Sequence, residues 1–317
     1  MKLKLLCLLL ATCGMLSACG SGFDNKYNIS ELDVGKVYSN EEGLKADGFA
    51  ASLCVPESDE AFNTDGVNAE AFALFDITDK EIISQKNSFE KVYPASTTKI
   101  LTCLVALENS NLDDIVTVPK ESEITVSGSS MAALRPGDQL SMRDLLYGLM
   151  VPSGNDAAVA IAHHISGSID SFSKLMNEKA VELGATHSNF INPHGLPDDN
   201  HYTTVYDMYL IFQEALKNKD FLEIANKKEY TATVTSADGQ QREVVWKNGN
   251  GFLSGKFTLP EGISITAGKT GHTSKAGFCL VLAEKDTDGH EYISIVMKAP
   301  VYEELYSGMS NLISKGK

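Results

Sequence analysis

The sequence predicts an α+β fold, in which one antiparallel sheet is built from both ends of the folded region and a helical insert lies between them. Strand-like patterns occur near residues 70–87 and return from residue 228 onward, whereas residues 96–215 carry mostly helical periodicity. A parallel sheet would instead require strands and helices to alternate along the chain. We therefore predict an antiparallel sheet flanked by helices.

The predicted elements follow in chain order. The segments AFALFDI and EIISQKN form a hairpin around Thr78-Asp79-Lys80, and STTKILTCLVALEN has apolar residues at the spacing of a buried helix. Ser141 precedes MRDLLYGLM as a helix N-cap. Further helices are GNDAAVAIAHHI, DSFSKLMNEKAVELG and VYDMYLIFQEALKN. The later strands are KEYTATVTS, QREVVW, SITAGKT, AGFCLVLAEKD and HEYISIVMKAP, and an amphipathic helix covers Tyr302 to Ile313.

The N-terminal segment predicts export. Two lysines precede an apolar run from Leu5 to Leu16, which is shorter than the ~20 residues that span a bilayer. A membrane-spanning anchor is the alternative. Leu16-Ser17-Ala18-Cys19 resembles the lipobox of bacterial lipoproteins, which implies a signal peptide over residues 1–18 and a lipid anchor on Cys19. A polar tether over residues 19–47 and one domain over residues 48–317 would then lie outside the cytoplasm, anchored to a bacterial membrane.

Composition excludes one broad class of function. Apolar residues make up 43% of the chain and charged residues 22%, as in globular proteins. The formal charge is −15, and it becomes −17 without residues 1–18. Only three arginines occur, whereas contacts to phosphates need clustered Lys and Arg. We expect no nucleic-acid partner.

Cysteine usage points to no bridge and no metal. Beyond Cys19 the chain has Cys54, Cys103 and Cys279, an odd and widely spaced set that does not form a disulfide framework. Cys103 and Cys279 lie in apolar runs, which is typical of small buried residues. His and Cys residues do not occur at metal-ligand spacing. We therefore predict neither a metal nor a cofactor.

The pattern Ser-x-x-Lys is the first candidate for a catalytic pair. It occurs at Ser96/Lys99, Ser88/Lys91, Ser171/Lys174 and Ser314/Lys317, so the pattern alone does not select a site. A serine needs a neighbouring base to become a nucleophile, and residues i and i+3 share a helix face. Ser96 is best placed, because Pro94 fixes an extended segment just before the apolar helix begins. Its backbone N–H would point out of the helix N-terminus, where developing negative charge is stabilised.

Two later motifs strengthen this choice. Ser153-Gly154-Asn155 is the only Ser-x-Asn in the chain, and Lys269-Thr270-Gly271 is the only Lys-Thr-Gly. Each alone has an ordinary interpretation, as a helix N-cap or as a turn glycine. Their order and spacing are less ordinary, since Ser153 follows Ser96 by 57 residues and Lys269 follows Ser153 by 116.

With these motifs the sequence resembles the penicillin-recognising serine enzymes, whose signature is Ser-x-x-Lys, Ser-x-Asn and Lys-Thr-Gly in that order. It is most similar to the low-molecular-mass D-alanyl-D-alanine carboxypeptidases, serine peptidase family S11. The resemblance covers about residues 70–300 and includes YPASTTKI, LLYGLMVPSGNDAA, NPHGLPDDNHYTTVYDM and GKTGHTSKAGFCLV. It implies a β-lactamase/transpeptidase-like fold and a serine-type carboxypeptidase that removes the terminal D-alanine of peptidoglycan stem peptides.

The resemblance also implies a role for each motif residue. Ser96 is the nucleophile that forms an acyl-enzyme, and Lys99 is its base, made neutral by burial and by the charge of Lys269. Ser153 relays a proton to the leaving nitrogen. The implied substrate-binding residues are Asn155, Lys269, Thr270, Gly271 and His272. Of these, Asn155 bonds the substrate backbone, and Lys269 and Thr270 hold its terminal carboxylate or that of a β-lactam inhibitor.

Two further expectations concern the main chain at the implied site. Gly271 lets the backbone approach closely, and the N–H groups of Ser96 and His272 form the oxyanion hole. The side chain of His272 is then incidental. We interpret His194, in NPHGL, as a structural residue, because buried histidines usually hydrogen-bond locally.

One departure from the family affects carboxylate binding. Many relatives have an arginine after the last strand, whereas here no arginine follows Arg242. Lys298, or Lys269 alone, would have to substitute for it.

Three alternatives stay open at the level of sequence. A class A-like β-lactamase needs a deacylating glutamate within Glu-x-x-Leu-Asn, but the corresponding region reads ATHSNFINPHGLPDD. We therefore expect penicillin to be released slowly, as from an inhibited enzyme. A D,D-endopeptidase would use the same residues on cross-links. A non-catalytic cell-wall-binding lipoprotein is the third reading, against which the intact motifs argue.

Overall fold

The computed structural model describes residues 50–56 and 58–316. The elements below belong to the compact unit Ser52–Lys317. The predicted signal peptide, Cys19, the tether and the predicted domain start at residue 48 lie outside the described residues. Within the described ranges, no helix combines the length and the apolar character needed to cross a membrane.

Nine strands and seven α-helices are described in these ranges. The strands are β1 (Ala71–Asp76), β2 (Glu81–Lys86), β3 (Ile115–Thr117), β4 (Gln139–Ser141), β5 (Glu229–Thr235), β6 (Gln241–Lys247), β7 (Ser264–Thr273), β8 (Gly277–Lys285) and β9 (Glu291–Ala299). The helices are α1 (Lys99–Asn109), α2 (Met142–Met150), α3 (Asn155–Ser166), α4 (Ile169–Glu182), α5 (Val205–Ala215), α6 (Lys219–Ala225) and α7 (Tyr302–Ile313). Short 3₁₀ turns cover Ala95–Thr98, Lys120–Ser122 and Ser314–Gly316.

The main sheet has five strands in the order β2-β1-β9-β8-β7. Every neighbouring pair is antiparallel. Strands from the start and the end of the described chain therefore pair with each other, as in β1 with β9, which confirms the predicted fold class. Strand β7 lies at one edge, so one of its sides is open to a ligand.

Both faces of this sheet are buried. Along β1, Ala71, Ala73 and Phe75 pack into the larger core, whereas Phe72 and Leu74 pack into a second core with residues of α7. Successive side chains of a strand point to opposite faces, so strand β1 contributes to both cores. This explains why the strand reads as a nearly continuous apolar run.

A second sheet corrects the prediction of a single one. Strands β5 and β6 pair with each other, and β5 pairs with β4 of the helical insert, in the order β3-β4-β5-β6. The hairpin packs on α2, where Tyr230 stacks on Tyr147 at 3.7 Å between ring centroids. Strands β3 and β4 have three residues each, which is too short to produce a readable period.

The predicted helices are largely confirmed. Ser141 caps α2 by accepting a hydrogen bond from the backbone N–H of Asp144, and α7 covers Tyr302–Ile313 as predicted. The segment after Pro94 begins with the 3₁₀ turn Ala95–Thr98, and α1 begins only at Lys99. Helix α6 was not predicted, because its seven residues hold less than two turns of pattern.

Candidate active site

Ser96 lies in the 3₁₀ turn that leads into α1, beside a strained residue. Ala95 has φ +49°, in the left-handed region that costs a side-chain-bearing residue energy. The turn is held from outside by Gly195, where a Cβ would lie 1.8 Å from the carbonyl oxygen of Ala95. Only glycine fits at this contact, so the loop after α4 fixes the position of the serine.

Lys99 lies one helical turn below Ser96 and is fully buried. Its Nζ lies 2.9 Å from Oγ of Ser96, and it donates to Oδ1 of Asn155 at 2.7 Å and to the carbonyl oxygen of His194 at 2.8 Å. All three oxygens belong to neutral groups. In a neutral amine the two donated bonds use both N–H groups, so the lone pair can accept the proton of the Ser96 hydroxyl. The predicted pair therefore lies within hydrogen-bonding distance, in the first turn of a helix.

The environment of Lys99 favours its neutral form. Burial lowers its pKa well below the usual value for lysine, and the charge of Lys269 lowers the pKa further. Asp156 opposes this shift. The carboxylate of Asp156 is already occupied, because it accepts the backbone N–H groups of Ala132 and Leu134 at 2.7 and 3.0 Å. An amine that stays neutral at pH 7 can accept a proton from a serine hydroxyl.

Ser153 lies in the segment that enters α3, and its side chain contacts the second buried lysine of the site, Lys269. The φ of Ser153 is +63°, a second strained backbone position in the site. Nζ of Lys269 donates to Oγ of Ser153 at 2.9 Å and to the carbonyl oxygen of Thr270 at 2.9 Å. Burial lowers the pKa of Lys269 to about 7. The relay between Lys99 and Ser153 stays a prediction.

Strand β7 runs directly beside the serine turn. A Cβ on Gly271 would lie 2.9 Å from the carbonyl oxygen of Pro94 and 3.0 Å from the backbone nitrogen of Ser96. Glycine therefore keeps a side chain off the main chain of the serine turn, a closer contact than the sequence had indicated. The His272 ring stacks on Phe278 at 4.1 Å between centroids. The oxyanion hole at Ser96 and His272 stays a prediction.

An open cleft passes over Ser96 in two lobes. The Thr270 lobe has a volume of about 240 Å³, and its lining includes Ser153, Thr270 and Tyr302. The Lys275 lobe has a volume of about 360 Å³, and its lining includes Asn155 and Lys275. Both lobes are lined by Ser96, Gly128, Ser130 and His272. An extended ligand such as a peptide could therefore occupy the cleft on both sides of Ser96.

Two walls of the site were missed by sequence reasoning. Residues 126–130 line the cleft, and the buried carboxylate of Asp156 ties the segment after them to the start of α3. On the other side, Asn192 Oδ1 accepts the backbone N–H of Gly195 at 2.7 Å. This loop presents the carbonyl of His194 to Lys99. An Asp directly after the Ser-x-Asn motif was the available signal for the first wall.

The imidazole of His194 is structural, as predicted from the sequence. Its Nδ1 accepts the backbone N–H of Leu196 at 3.1 Å, and burial lowers its pKa to about 3. A neighbouring ring, His201, accepts the backbone N–H of Ile191 at Nδ1, so its Nε2 carries the proton donated to Thr98 Oγ1 at 2.8 Å. Burial also lowers the pKa of His201, to about 4. Both rings therefore stay neutral and brace the loop against the serine turn.

The other Ser-x-x-Lys pairs do not form comparable sites. Ser88 Oγ donates to Gln85, and Lys91 lies over the ring of Tyr202. Ser171 bonds with Ser168. In the fourth pair Ser314 Oγ donates to the carbonyl of Ser310, and Lys317 lies outside the described residues.

The question of the missing arginine is partly answered by geometry. Lys298 forms an ion pair with Glu70 and does not line either lobe of the cleft. Lys269, which is 3% exposed and contacts Ser153 in the wall of the Thr270 lobe, is the better placed cation. Its location favours Lys269 over Lys298 as the group that holds a carboxylate.

One group of potential metal ligands lies away from the cleft. Donor atoms of Asp76, Asp79 and His290 lie within 4.8 Å of one another. His290 Nδ1 is 3.4 Å from Asp76 Oδ2, and this contact raises the pKa of the imidazole. We interpret the group as an ion pair at the β1–β2 and β8–β9 turns.

The fold and the site define a class of protein. A serine that is hydrogen-bonded to a buried lysine, at the edge of an antiparallel sheet covered by helices, is the arrangement of a serine–lysine acyl-transferring hydrolase. Residues 58–301 match the sequence profile of peptidase family S11, described as D-alanyl-D-alanine carboxypeptidase. The chain belongs to this family.

Individual relatives agree. The chain is 33% identical over 244 residues to D-alanyl-D-alanine carboxypeptidase DacA of Haemophilus influenzae, which covers 75% of this chain and 58% of that protein. It is 30% identical over 287 residues to D-alanyl-D-alanine carboxypeptidase DacC of Escherichia coli, and this match covers 86% of this chain and 68% of that protein. The chain therefore spans about three fifths of the length of such relatives.

Solved structures show the same fold. The crystal structure of the Streptomyces K15 DD-transpeptidase has a TM-score of 0.74 to this chain at 30% identity, covering 80% of this chain and 99% of that one. Penicillin binding protein 5 from Haemophilus influenzae has a TM-score of 0.70 to this chain at 31% identity, and the match covers 79% of this chain and 71% of that one.

Proposed function

We propose that the protein is a serine-type D-Ala-D-Ala carboxypeptidase that removes the terminal D-alanine of peptidoglycan stem peptides and is inhibited by β-lactams. The observation that carries this proposal is the 2.9 Å hydrogen bond between Lys99 Nζ and Ser96 Oγ, with Lys99 fully buried. This contact places an amine within reach of the nucleophile, and burial favours the neutral form in which the amine can act as a base. Family membership and the relatives' names support the choice of substrate.

The reaction begins with acylation of the serine. Ser96 Oγ attacks the carbonyl between the two D-alanines and passes its proton to Lys99, while the oxyanion meets the backbone N–H groups of Ser96 and His272. The C–N bond breaks, and the leaving D-alanine takes up a proton that Lys99 releases through Ser153. A water molecule then attacks the ester, so the shortened peptide leaves and Ser96 regains its proton.

Lys269 and Thr270 hold the terminal carboxylate in this scheme. Lys269 makes its side-chain hydrogen bonds to the neutral oxygens of Ser153 and Thr270, so an incoming carboxylate gains a cation that is not already neutralised there. A charge-assisted hydrogen bond to a desolvated cation is stronger than one in water. The leaving D-alanine then lies in the Thr270 lobe.

Slow release of penicillin follows from the lining of the cleft. Among the lining residues of the two lobes, none is Asp or Glu. A carboxylate that activates the deacylating water, as in a class A β-lactamase, therefore does not face the cleft from these walls. A β-lactam that acylates Ser96 should stay attached for many turnovers of the peptide reaction.

Location completes the proposal. We assign the site of action to the outside of the cytoplasmic membrane, where peptidoglycan lies, with a lipid on Cys19 as the anchor. The motif Leu16-Ser17-Ala18-Cys19 supports the anchor, and mass spectrometry of the mature protein tests it. A mature protein that still begins at Met1 would contradict it.

The decisive experiment measures D-alanine release from a diacetyl-Lys-D-Ala-D-Ala peptide. We expect turnover by the wild type and a loss of at least roughly 10³-fold in Ser96→Ala, because the nucleophile is removed. Labelled penicillin should form a stable adduct with the wild type and none with the variant. Equal release from both proteins would contradict the serine mechanism, and rapid repeated hydrolysis of penicillin would favour the β-lactamase alternative. Cleavage of a cross-linked peptide tests the endopeptidase alternative.

A further inference from the structure

The lining of the Lys275 lobe contains one charged side chain, whose sign is opposite to the net charge of the protein. The lining residues are mostly serine, glycine and apolar residues, and Lys275 is their only Lys, Arg, Asp or Glu. The chain as a whole carries a net charge of −15. A single cation in the wall of an otherwise uncharged lobe favours a ligand with an anionic group there.

The path of the substrate places this charge beyond the scissile bond. If the terminal D-alanine lies toward Lys269 and Thr270, the rest of the peptide runs along β7 in the direction of Thr273 and Lys275. Lys275 lies in the turn two residues beyond the end of β7, so its backbone is at most roughly 13 Å from that of Gly271. The third residue of the stem peptide lies one step of roughly 3.3 Å beyond the penultimate D-alanine. A long side chain on this third residue extends its reach by about 6–7 Å. Because the lysine side chain is itself long, the end of the peptide's third side chain can reach Nζ of Lys275.

Lys275 is paired with a negative charge, the carboxylate of Asp199. Its Nζ forms an ion pair with Asp199 Oδ1 and lies 5.6 Å from the centroid of the Tyr93 ring. The side chains of Lys275 and Asp199 are 50% and 78% exposed. Such an open pair contributes little to stability, so its partners can be exchanged for a ligand at small cost. A ligand with both an ammonium and a carboxylate group would satisfy both.

We propose that Lys275 and Asp199 select stem peptides whose third side chain ends in a free amino acid group, as in diaminopimelate, over side chains that end in an ammonium group alone or in an amide. The carboxylate of this end pairs with Lys275, and its ammonium group pairs with Asp199. The inference rests on the proposed function, since that function sets the direction of the bound peptide.

The test measures binding without turnover, in the Ser96→Ala background. Three pentapeptides differ only at the third residue, which is diaminopimelate, its side-chain amide or lysine. We expect the diaminopimelate peptide to bind about fivefold more tightly than its amide, the size of an exposed charge contact. The difference should shrink as salt is raised. Adding Lys275→Gln should remove the preference, whereas adding Asp199→Asn should keep the preference for the acid over the amide.

A matched control uses another exposed, ion-paired lysine. Lys285 is 44% exposed and lies 3.5 Å from Glu291, away from the cleft-lining residues. Lys285→Gln should leave the preference unchanged. Equal binding of acid and amide by the parent protein, or an equal loss with either lysine variant, would overturn the inference.

Turnover is read separately. Lys285→Gln, which lies away from the cleft-lining residues, should release D-alanine from diacetyl-Lys-D-Ala-D-Ala at the wild-type rate. If the wild type releases D-alanine from no peptide, the proposed function fails. The inference still stands if the Ser96→Ala protein prefers the acid through Lys275.

Discussion

The two buried lysines of the cleft make an instructive comparison. Lys99 lies at the start of α1 and contacts Ser96, Asn155 and the carbonyl of His194. Lys269 lies on the edge strand β7 and contacts Ser153 and its own neighbour's carbonyl. Burial is the largest cause of a lowered pKa in both, and the mutual repulsion of the two amines disfavours their being charged at the same time.

The two lysines differ in how far their pKa values are lowered, and this difference suits them to different functions. Burial and the charge of Lys269 hold the pKa of Lys99 well below its usual value, which favours the neutral amine that can accept a proton. Lys269, with a pKa of about 7, still carries charge for half of the time at pH 7 and is suited to hold an anion. We therefore propose that the same residue type serves as base at the start of α1 and as carboxylate anchor on strand β7.

The largest effect should come from Lys99→Met, which keeps the volume of the side chain and removes the amine. We expect the rate of acylation by labelled penicillin to fall by roughly 10²–10⁴-fold, the usual contribution of a general base. Thermal unfolding checks that the variant is folded. A folded variant that acylates within tenfold of the wild-type rate would show that Lys99 is not the base.

Lys269→Gln should have a smaller effect that depends on pH. At pH 6 the loss in kcat/KM for the D-Ala-D-Ala peptide should be roughly 10–100-fold, because a hydrogen bond to a charged group is removed. The wild-type lysine loses its charge as pH rises through about 7, so the loss should shrink by pH 9. The pH profile of kcat/KM for both proteins measures this. A loss that is constant from pH 6 to pH 9 would contradict the assignment of a titrating anchor.

Asn155→Asp sharpens the comparison at nearly constant shape. A carboxylate at the position of the Asn155 oxygen, 2.7 Å from Lys99 Nζ, stabilises the charged amine and raises its pKa by roughly 1–3 units. Acylation requires the neutral amine, so the acid limb of the rate of penicillin acylation should move to higher pH by at least about one unit. At a fixed pH on that limb the rate falls about tenfold per unit. An acid limb at the wild-type position would mean that it does not report on Lys99.

Sequence reasoning brought out the motif residues because each motif is a short local pattern with a chemical requirement. Ser96 and Lys99 are three residues apart, and one helical turn brings them together. The contact of Lys269 with Ser153 spans 116 residues and was not predicted, because no local pattern encodes it. The fold class followed from where strands and helices lie along the chain.

Other parts were out of reach for physical reasons. The acceptor that His194 offers to Lys99 is a backbone carbonyl, which every residue has, so its side chain gives no signal. The second sheet depends on pairing between β4 and β5, a tertiary contact that period and composition do not encode. Glutamate is usually found at the surface, so its residue type predicts an exposed position for Glu284. In the structure Glu284 is buried on strand β8, and burial raises the pKa of its carboxyl group.

The three cysteines bear on how this protein can be handled. Within residues 50–56 and 58–316, Cys54, Cys103 and Cys279 are free and buried, and burial raises the pKa of the Cys54 thiol to about 11 and that of Cys279 to about 12. This part of the chain therefore needs no oxidative folding step, and reducing agents should leave it intact. Electrophilic probes of Ser96 should meet little competition from these thiols, because burial disfavours the reactive thiolate.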